Sequence, residues 1–324
     1  MLTVFWLLVL FVFSFVIIKT ADFVVRLLRK IALRAKVNVF FVSAILVALG
    51  TCLPEIVVAI TSALESRPSL SLGNVLGANI ASISLVVGLS AFVFGGVNVR
   101  APFLEKDLKT VWLAFLLFII LMIDGKISRV DGLILIFAYI GYIVAFLSEG
   151  EKRQEHLSFL RHPSKPFNNN LNNFDFRLAR ELSKLFLGLG LLLFSAEILV
   201  TSAVKLTSFL NFSIFDIGLV FIAIGTTLPE MAFSFRSIKD DQPSMFLGNI
   251  LGSLITNLTL VVGIAASLEP IIISSFTHYL TPLLSFVIVF AVFGYFLKSK
   301  KRLERWEAGF LFSFYIIFLV LEVV

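Results

Sequence analysis

The chain has 324 residues, of which 59% are hydrophobic and only 15% are charged, and its formal net charge is +6. Soluble globular proteins are about 45–50% apolar and about 25% charged, so this composition excludes a water-soluble domain. Cys52 is the single cysteine, which excludes an intramolecular disulfide, and the three histidines lack the spacing of metal ligands.

Ten apolar runs follow one another along the chain. A helix needs about 17–25 apolar residues to cross roughly 30 Å of hydrocarbon, and the runs are close to that length. They cover residues 3–20 (continuing as an amphipathic helix to 35), 39–64, 71–95, 108–123, 130–148, 182–209, 213–237, 244–267, 278–297 and 306–323. The first run has no basic residues before it and no small-residue cleavage pattern after it, so we expect a retained helix rather than a signal peptide. The predicted fold class is an all-α polytopic membrane protein with ten transmembrane helices.

The basic residues are divided unevenly between the two sides of this predicted membrane. With the N-terminus outside, all but four of the 27 Lys and Arg residues fall on the inner side. Because Lys and Arg of short loops accumulate in the cytoplasm, we predict a cell-membrane protein with both termini extracellular and the central loop cytoplasmic. A charge distributed in this way does not indicate nucleic-acid binding.

Two halves of the chain repeat each other at a constant spacing. Gly50–Glu55 reads GTCLPE, and Gly225–Glu230 reads GTTLPE, 175 positions later. The same spacing joins GNVLG at residues 73–77 to GNILG at residues 248–252. Each half has five predicted helices, an odd number, so the halves would cross the membrane in opposite directions as inverted repeats, with a binding site near the midplane. We therefore divide the chain into a first repeat (1–148), a cytoplasmic linker (149–181) and a second repeat (182–324).

The repeated motif places a proline and a carboxylate inside apolar helices. Pro54 and Pro229 have no N–H, so each leaves the carbonyl four residues earlier, on Gly50 or Gly225, without its helical donor. In lipid a freed carbonyl is costly unless another group satisfies it, and a bound cation is one such group.

Oxygen is the only hard ligand type that the motif offers. Carboxylates, hydroxyls and carbonyls suit Ca²⁺, Na⁺ or Mg²⁺ rather than zinc or copper. Glu55 and Glu230 would meet near the midplane and present a charge of about −2, which matches one divalent ion, and an intramembrane carboxylate is a functional candidate by default. For Asp22 and Glu197, in the first helix of each half, a helix–helix hydrogen bond and a role in the ion pathway both stay open.

The two segments "GTCLPE…GNVLGANIASISLVVGLSA" and "GTTLPE…GNILGSLITNLTLVVGIAA" resemble the two repeats of the sodium/calcium exchanger family, within the Ca²⁺:cation antiporters. They occupy residues 50–92 and 225–267. The resemblance implies a core of four motif helices beside which the first and sixth helices slide. It also implies that Glu55 and Glu230 hold Ca²⁺, helped by the carbonyls of Thr51 and Thr226. The sodium sites would use hydroxyl residues and their neighbours: Thr51, Cys52, Thr226, Thr227 and Ser253.

Three departures from the family pattern concern the coupling ion. Sodium-coupled members usually carry Asp or Asn 27 residues after each motif glutamate, where this chain has Ser82 and Asn257. Ala78 replaces an expected serine, and Cys52 replaces a hydroxyl residue. The proton-coupled branch usually has an acidic residue where this chain has Gly77 and Gly252.

The predicted function is a secondary antiporter that exchanges Ca²⁺ for a monovalent cation, with Na⁺ as the expected partner ion. The alternatives are an H⁺-coupled or other divalent-cation exchanger and, more distantly, a membrane-embedded lipid-phosphate enzyme, which would want Arg or His beside the carboxylates. We expect no catalytic activity, no cofactor and no obligatory protein partner. The candidate ion ligands are Glu55, Glu230, Thr51, Thr226, Cys52, Thr227, Ser82, Asn257, Ser253, Ala78, Gly50 and Gly225.

Overall fold

The computed structural model describes residues 2–34, 52–98, 104–157, 176–210, 212–239, 243–273, 276–299 and 302–323. Within these ranges the chain forms ten helices and four two-residue strands. The helices are α1 (Leu2–Arg34), α2 (Leu53–Leu64), α3 (Pro68–Val93), α4 (Leu104–Met122), α5 (Arg129–Leu157), α6 (Phe176–Leu210), α7 (Ile214–Lys239), α8 (243–268), α9 (Phe276–Ser299) and α10 (Arg305–Val323). The strands are β1 (Val97–Asn98), β2 (Lys126–Ile127), β3 (Ile271–Ile272) and β4 (Arg302–Leu303).

Seven helices contain a stretch that is long and apolar enough to cross a membrane. These stretches lie in α1, α3, α5, α6, α7, α8 and α9, and the described part of α2 is a shorter apolar helix. Large apolar side chains cover the outside of the molecule; Leu187, Phe186 and Phe137 are 75%, 74% and 69% exposed. A soluble protein rarely exposes so much apolar surface. The prediction of a multi-pass helical membrane protein is therefore confirmed, whereas ten crossings stay a prediction.

Helices extend into the predicted linker from both sides. α5 continues to Leu157 and α6 already begins at Phe176. Both extensions are polar and charged, so we expect them to continue from the hydrocarbon into water. The centre of the linker, residues 158–175, lies outside the described residues.

Two small ribbons relate the halves of the chain to each other. β1 follows α3 and pairs with β4, which precedes α10; β3 follows α8 and pairs with β2, which precedes α5. Each ribbon is antiparallel and takes one strand from each half, with its buried pair formed by Val97 and Leu303 or by Ile271 and Ile127. Exchanging the halves maps one ribbon onto the other, so the two halves are arranged as a two-fold pair.

The motif helices α3 and α7 pack backbone to backbone. A Cβ atom on Gly73 would lie 2.0 Å from the Phe215 carbonyl oxygen, and one on Gly77 would lie 2.0 Å from that of Leu219. Small residues allow this close approach in membrane bundles. The crossing brings the polar face of α3 directly against the helix that carries Glu230.

The helices α1 and α6 pack on each other along their lengths, and together with side chains of α2, α3 and α7 they form one apolar cluster. Their buried side chains in this cluster are Leu10, Ile17, Val24, Leu192, Ala196, Leu199, Val200, Ala203 and Leu206. A second, larger cluster holds side chains from the remaining eight helices. The helices α1 and α6 thus form a contacting pair that rests on α2, α3 and α7. That this pair slides beside the other helices, as the resemblance implies, stays a prediction.

Candidate ion-binding site

The two motif glutamates are buried and lie close together. Glu55 is 0% exposed and Glu230 is 1% exposed, and the two carboxylates interact electrostatically. A buried carboxylate costs several kcal/mol unless other groups compensate it. Two such groups placed together by different halves of the chain form one acidic site between those halves.

Glu55 lies at the beginning of a helix. α2 starts at Leu53, with Pro54 and Glu55 in its first turn. A proline is tolerated there because first-turn N–H groups have no helical acceptor, and the positive end of the helix dipole stabilises a nearby carboxylate. Gly50 and Thr51 lie outside the described residues, so their predicted roles stay predictions.

Glu230, unlike Glu55, lies in the middle of a helix. α7 runs without a break past Pro229. Its irregularity lies further upstream, in a widened π-helical turn at Ile217–Ile222.

Most oxygens of the two carboxylates have no hydrogen-bond donor. Ser82 donates to Oε2 of Glu230, but Oε1 of Glu230 and both oxygens of Glu55 have no partner among the described residues. The Thr226 hydroxyl lies near Glu55 but donates instead to Oδ1 of Asn74, at 3.1 Å. Since buried polar atoms are nearly always paired, these oxygens form an acceptor-rich site of the kind that a hard cation fits.

Two π-helical turns interrupt α3 and α8 at equivalent places of the repeat. They span Ser82–Val86 and Asn257–Val261, so each begins at one of the two residues that follow the motif glutamates by 27 positions. Single π-helical turns inside α-helices occur frequently at functional sites. No sequence signal predicts these turns.

Asn79 is a site residue that the sequence analysis missed. Nδ2 of Asn257 donates to Oδ1 of Asn79 at 3.0 Å, and Oδ1 of Asn257 is buried without a donor among the described residues. The hydrogen bond to Asn79 therefore fixes the orientation of the Asn257 amide and leaves its oxygen as a free acceptor within the described part of the chain. The equivalent residue of the second half is Leu254, so a polar residue that breaks the repeat is the signal that could have identified Asn79.

Comparison with known proteins places the chain among membrane exchangers. The sequence model described as sodium/calcium exchanger protein matches residues 5–148 and 182–324, which is most of the chain and both of its halves. The chain belongs to the sodium/calcium exchanger family.

Relatives cover the chain almost completely. An uncharacterized membrane protein of Methanocaldococcus jannaschii is 30% identical over 298 residues, which are 89% of this chain and 88% of that protein. The sodium/calcium exchanger MaX1 of Methanosarcina acetivorans is 25% identical and covers 99% of both chains. Among solved structures, the sodium-calcium exchanger NCX_Mj, soaked with Na⁺ and Sr²⁺, aligns with a TM-score of 0.62 over 98% of each chain at 24% identity. The relatives named as exchangers are transporters rather than enzymes.

The other predicted ligand residues of this exchanger-family member differ in what their side chains offer to the two glutamates or to an ion. Ser253 lies close enough to Glu230 to interact with it, although its hydroxyl donates to the Ile250 carbonyl at 3.0 Å. Thr227 donates to the Ala223 carbonyl at 2.9 Å, so its hydroxyl supports α7 in this structure. Cys52 and Ala78 are fully buried and bring no side-chain oxygen.

Asp22 and Glu197, in the first helix of each half, are expected from the sequence either to form a helix–helix hydrogen bond or to take part in the ion pathway. The side chain of Asp22 lies outside the described residues, and Glu197 is exposed on α6. Gly225, by contrast, is buried at a crossing with α1, where Ser14 approaches it.

Proposed function

We propose that this member of the sodium/calcium exchanger family is a secondary antiporter that exchanges Ca²⁺ for Na⁺ at the site between Glu55 and Glu230. One observation carries the proposal: two fully buried glutamates meet from opposite halves, and three of their four oxygens lack a donor among the described residues. The acidic pair, with Asn257 and hydroxyls beside it, supplies the oxygen ligands that a hard cation requires.

Charge explains why such a site exchanges ions instead of leaking them. One Ca²⁺ or about two monovalent ions would neutralise the two carboxylates, so the ions compete for one place. An empty site keeps two like charges in a low-dielectric region and resists the conformational change. The change itself is a shift between two packings of the α1–α6 pair against the main bundle.

The proposed membrane arrangement has ten crossings. Both termini would be extracellular and the loop around residues 158–175 would be cytoplasmic, in agreement with the distribution of Lys and Arg. The two-fold relation of the ribbons supports halves that cross the membrane in opposite directions.

Flux measurements on the purified protein test the function. In proteoliposomes we expect uptake of radioactive Ca²⁺ only when an outward Na⁺ gradient is imposed, with little uptake under K⁺ or H⁺ gradients of the same size. Heat-inactivated protein and protein-free liposomes are the controls. Uptake driven by H⁺ alone would assign the protein to proton coupling, and uptake without any gradient dependence would contradict antiport.

Asn79 gives a sharper test of the site. Replacing Asn79 by Leu, the residue of the other half, removes the acceptor that orients Asn257. We expect the half-saturating Ca²⁺ concentration to rise about fivefold, since one buried hydrogen bond contributes about 1 kcal/mol and its loss frees the amide to rotate. The measurement is Ca²⁺-dependent uptake, with Ser202→Ala as the matched variant, because Ser202 is a buried serine of α6 whose hydroxyl donates to the Ile198 carbonyl. Unchanged Ca²⁺ affinity in Asn79→Leu would exclude an orienting role.

A further inference from the structure

Ser14 of α1 is buried against the second motif without a hydrogen-bond partner. It is 3% exposed, and its hydroxyl has no partner among the described residues. A Cβ atom on Gly225 would lie 2.7 Å from Oγ of Ser14 and 2.8 Å from its Cβ. The side chain of Ser14 thus occupies the space that the missing side chain of Gly225 leaves free.

The place of this contact links it to the ion site. Gly225 begins the GTTLPE segment, and its carbonyl is the one to which Pro229 cannot donate. Thr226 and Thr227 follow directly and are 2% and 0% exposed. An unpaired hydroxyl of α1 therefore lies against the turn whose oxygens are the predicted ligands of the monovalent ion.

Packing alone does not account for a serine at this crossing. A hydroxyl buried without a partner costs about 1–3 kcal/mol, and alanine would fill the space without that penalty. The repeat does not demand a polar residue either, because the equivalent position in α6 is Leu189. The hydroxyl of α1 therefore has no counterpart in α6. It lies against the second motif, GTTLPE, which has two threonines where the first motif has Thr51 and Cys52.

We propose that Ser14 supplies a further oxygen ligand to the monovalent ion, and that through this contact ion occupancy holds α1 against α7. The inference rests on the proposed antiport function. A ligand shifts a conformational equilibrium only through contacts that differ between the states. Ser14 lies on α1, one of the two helices that the resemblance implies slide beside the motif helices, so its contact with an ion on α7 would exist only while α1 holds the position seen in this structure.

The Ser14→Ala variant distinguishes an effect on Na⁺ binding from an effect on Ca²⁺ binding. We expect the half-saturating Na⁺ concentration for Ca²⁺ efflux to rise about tenfold, as for the loss of one hydrogen bond to a charged group. The half-saturating Ca²⁺ concentration, measured as Ca²⁺/Ca²⁺ exchange without Na⁺, should stay within about twofold, because the acidic pair is intact. Ser14→Cys, similar in size but without a hard oxygen, should behave as the alanine variant does.

A buried serine with a satisfied hydroxyl is the matched control. Ser202 of α6 donates to the Ile198 carbonyl at 2.7 Å, so Ser202→Ala removes a buried hydroxyl from the same helix pair without touching the motif. We expect its Na⁺ dependence to equal that of the wild type. A purely structural role of Ser14 would change Na⁺ and Ca²⁺ dependence together, and that outcome would overturn the proposal.

A steric pair of variants tests the contact itself. Gly225→Ala should slow all exchange, because its Cβ would overlap Ser14, and adding Ser14→Gly should restore Ca²⁺/Ca²⁺ exchange while Na⁺ dependence stays weak. No restoration would contradict the contact. Wild-type Na⁺ dependence in Ser14→Ala would overturn the Ser14 proposal and leave antiport standing, whereas a wild-type protein without Na⁺-driven Ca²⁺ flux would overturn both.

Discussion

Glu55→Gln and Glu230→Gln are each expected to abolish Ca²⁺ uptake into proteoliposomes, by at least about 100-fold. Gln keeps the shape of the side chain and one oxygen but removes the charge that balances the ion. Leaving a divalent cation with a single buried carboxylate is comparable to breaking a buried ion pair, which costs about 3–5 kcal/mol. Transport that survives both substitutions would contradict the proposed site.

The same substitutions are not expected to unfold the protein. Glu55 and Glu230 are both buried and repel each other when both are charged, so neutralising one removes an unfavourable interaction from the ion-free state. Thermal unfolding in detergent without Ca²⁺ should therefore occur at the wild-type temperature or above it. Added Ca²⁺ should raise the unfolding temperature of the wild type and not that of the variants, because only a bound ligand stabilises by mass action.

Glu65 provides the matched control for both measurements. It follows the last turn of α2, ten residues after Glu55, and is only partly buried. Glu65→Gln is expected to leave Ca²⁺ uptake within about twofold of the wild type, because surface charges contribute little. A loss of transport in Glu65→Gln equal to that in Glu55→Gln would show that charge removal anywhere on α2 impairs the protein, and would remove the special role of Glu55.

The sequence alone predicts the parts of this site that depend on a short motif present in both halves of the chain. The 175-residue spacing joins Glu55 to Glu230 and predicts that they meet, and the structure brings both carboxylates to one buried place. Apolar runs predict the helices because one side-chain class must face lipid over about 20 residues. Neither inference needs any knowledge of how the helices rotate against one another.

Features that depend on contacts between distant residues could not be predicted in this way. Asn79 and Asn257 are 178 residues apart, and only the rotation of α3 and α8 brings their amides together. The π-helical turns at Ser82 and Asn257 are not indicated by the helix propensity of either segment. The strands are two residues long and have no alternating pattern that could distinguish them from loops.

The backbone of this protein follows a two-fold relation that its polar side chains do not follow. The ribbons and π-helical turns obey the two-fold relation, which favours two conformations of similar energy that differ in which half opens. The polar side chains do not obey it: Ser82 donates to Glu230, whereas its repeat partner Asn257 donates to Asn79, and Glu55 has no donor within the described ranges. Under the proposed function the scaffold would alternate between these conformations, while each ion would meet a different set of oxygens on each side of the site.

Gly73→Ala is expected to destabilise the fold more than any conservative change in the ion site. The new Cβ would lie 2.0 Å from the Phe215 carbonyl oxygen and 3.0 Å from the Leu219 nitrogen, both of them backbone atoms that cannot rotate away. The helices α3 and α7 would have to separate, which also moves Asn74 away from Thr226.

The expected effect on stability follows from the cost of overpacking, about 1–3 kcal/mol, or about 5 °C in the unfolding temperature of the detergent-solubilised protein. Gly141→Ala is the matched control, because Gly141 is exposed on α5 and a Cβ there meets no described atom within 4 Å. Alanine has a higher helix propensity than glycine, so this control should unfold at or above the wild-type temperature. Equal unfolding temperatures for Gly73→Ala and Gly141→Ala would mean that α3 and α7 do not touch through their backbones, and the geometry that places Ser82 beside Glu230 would lose its support.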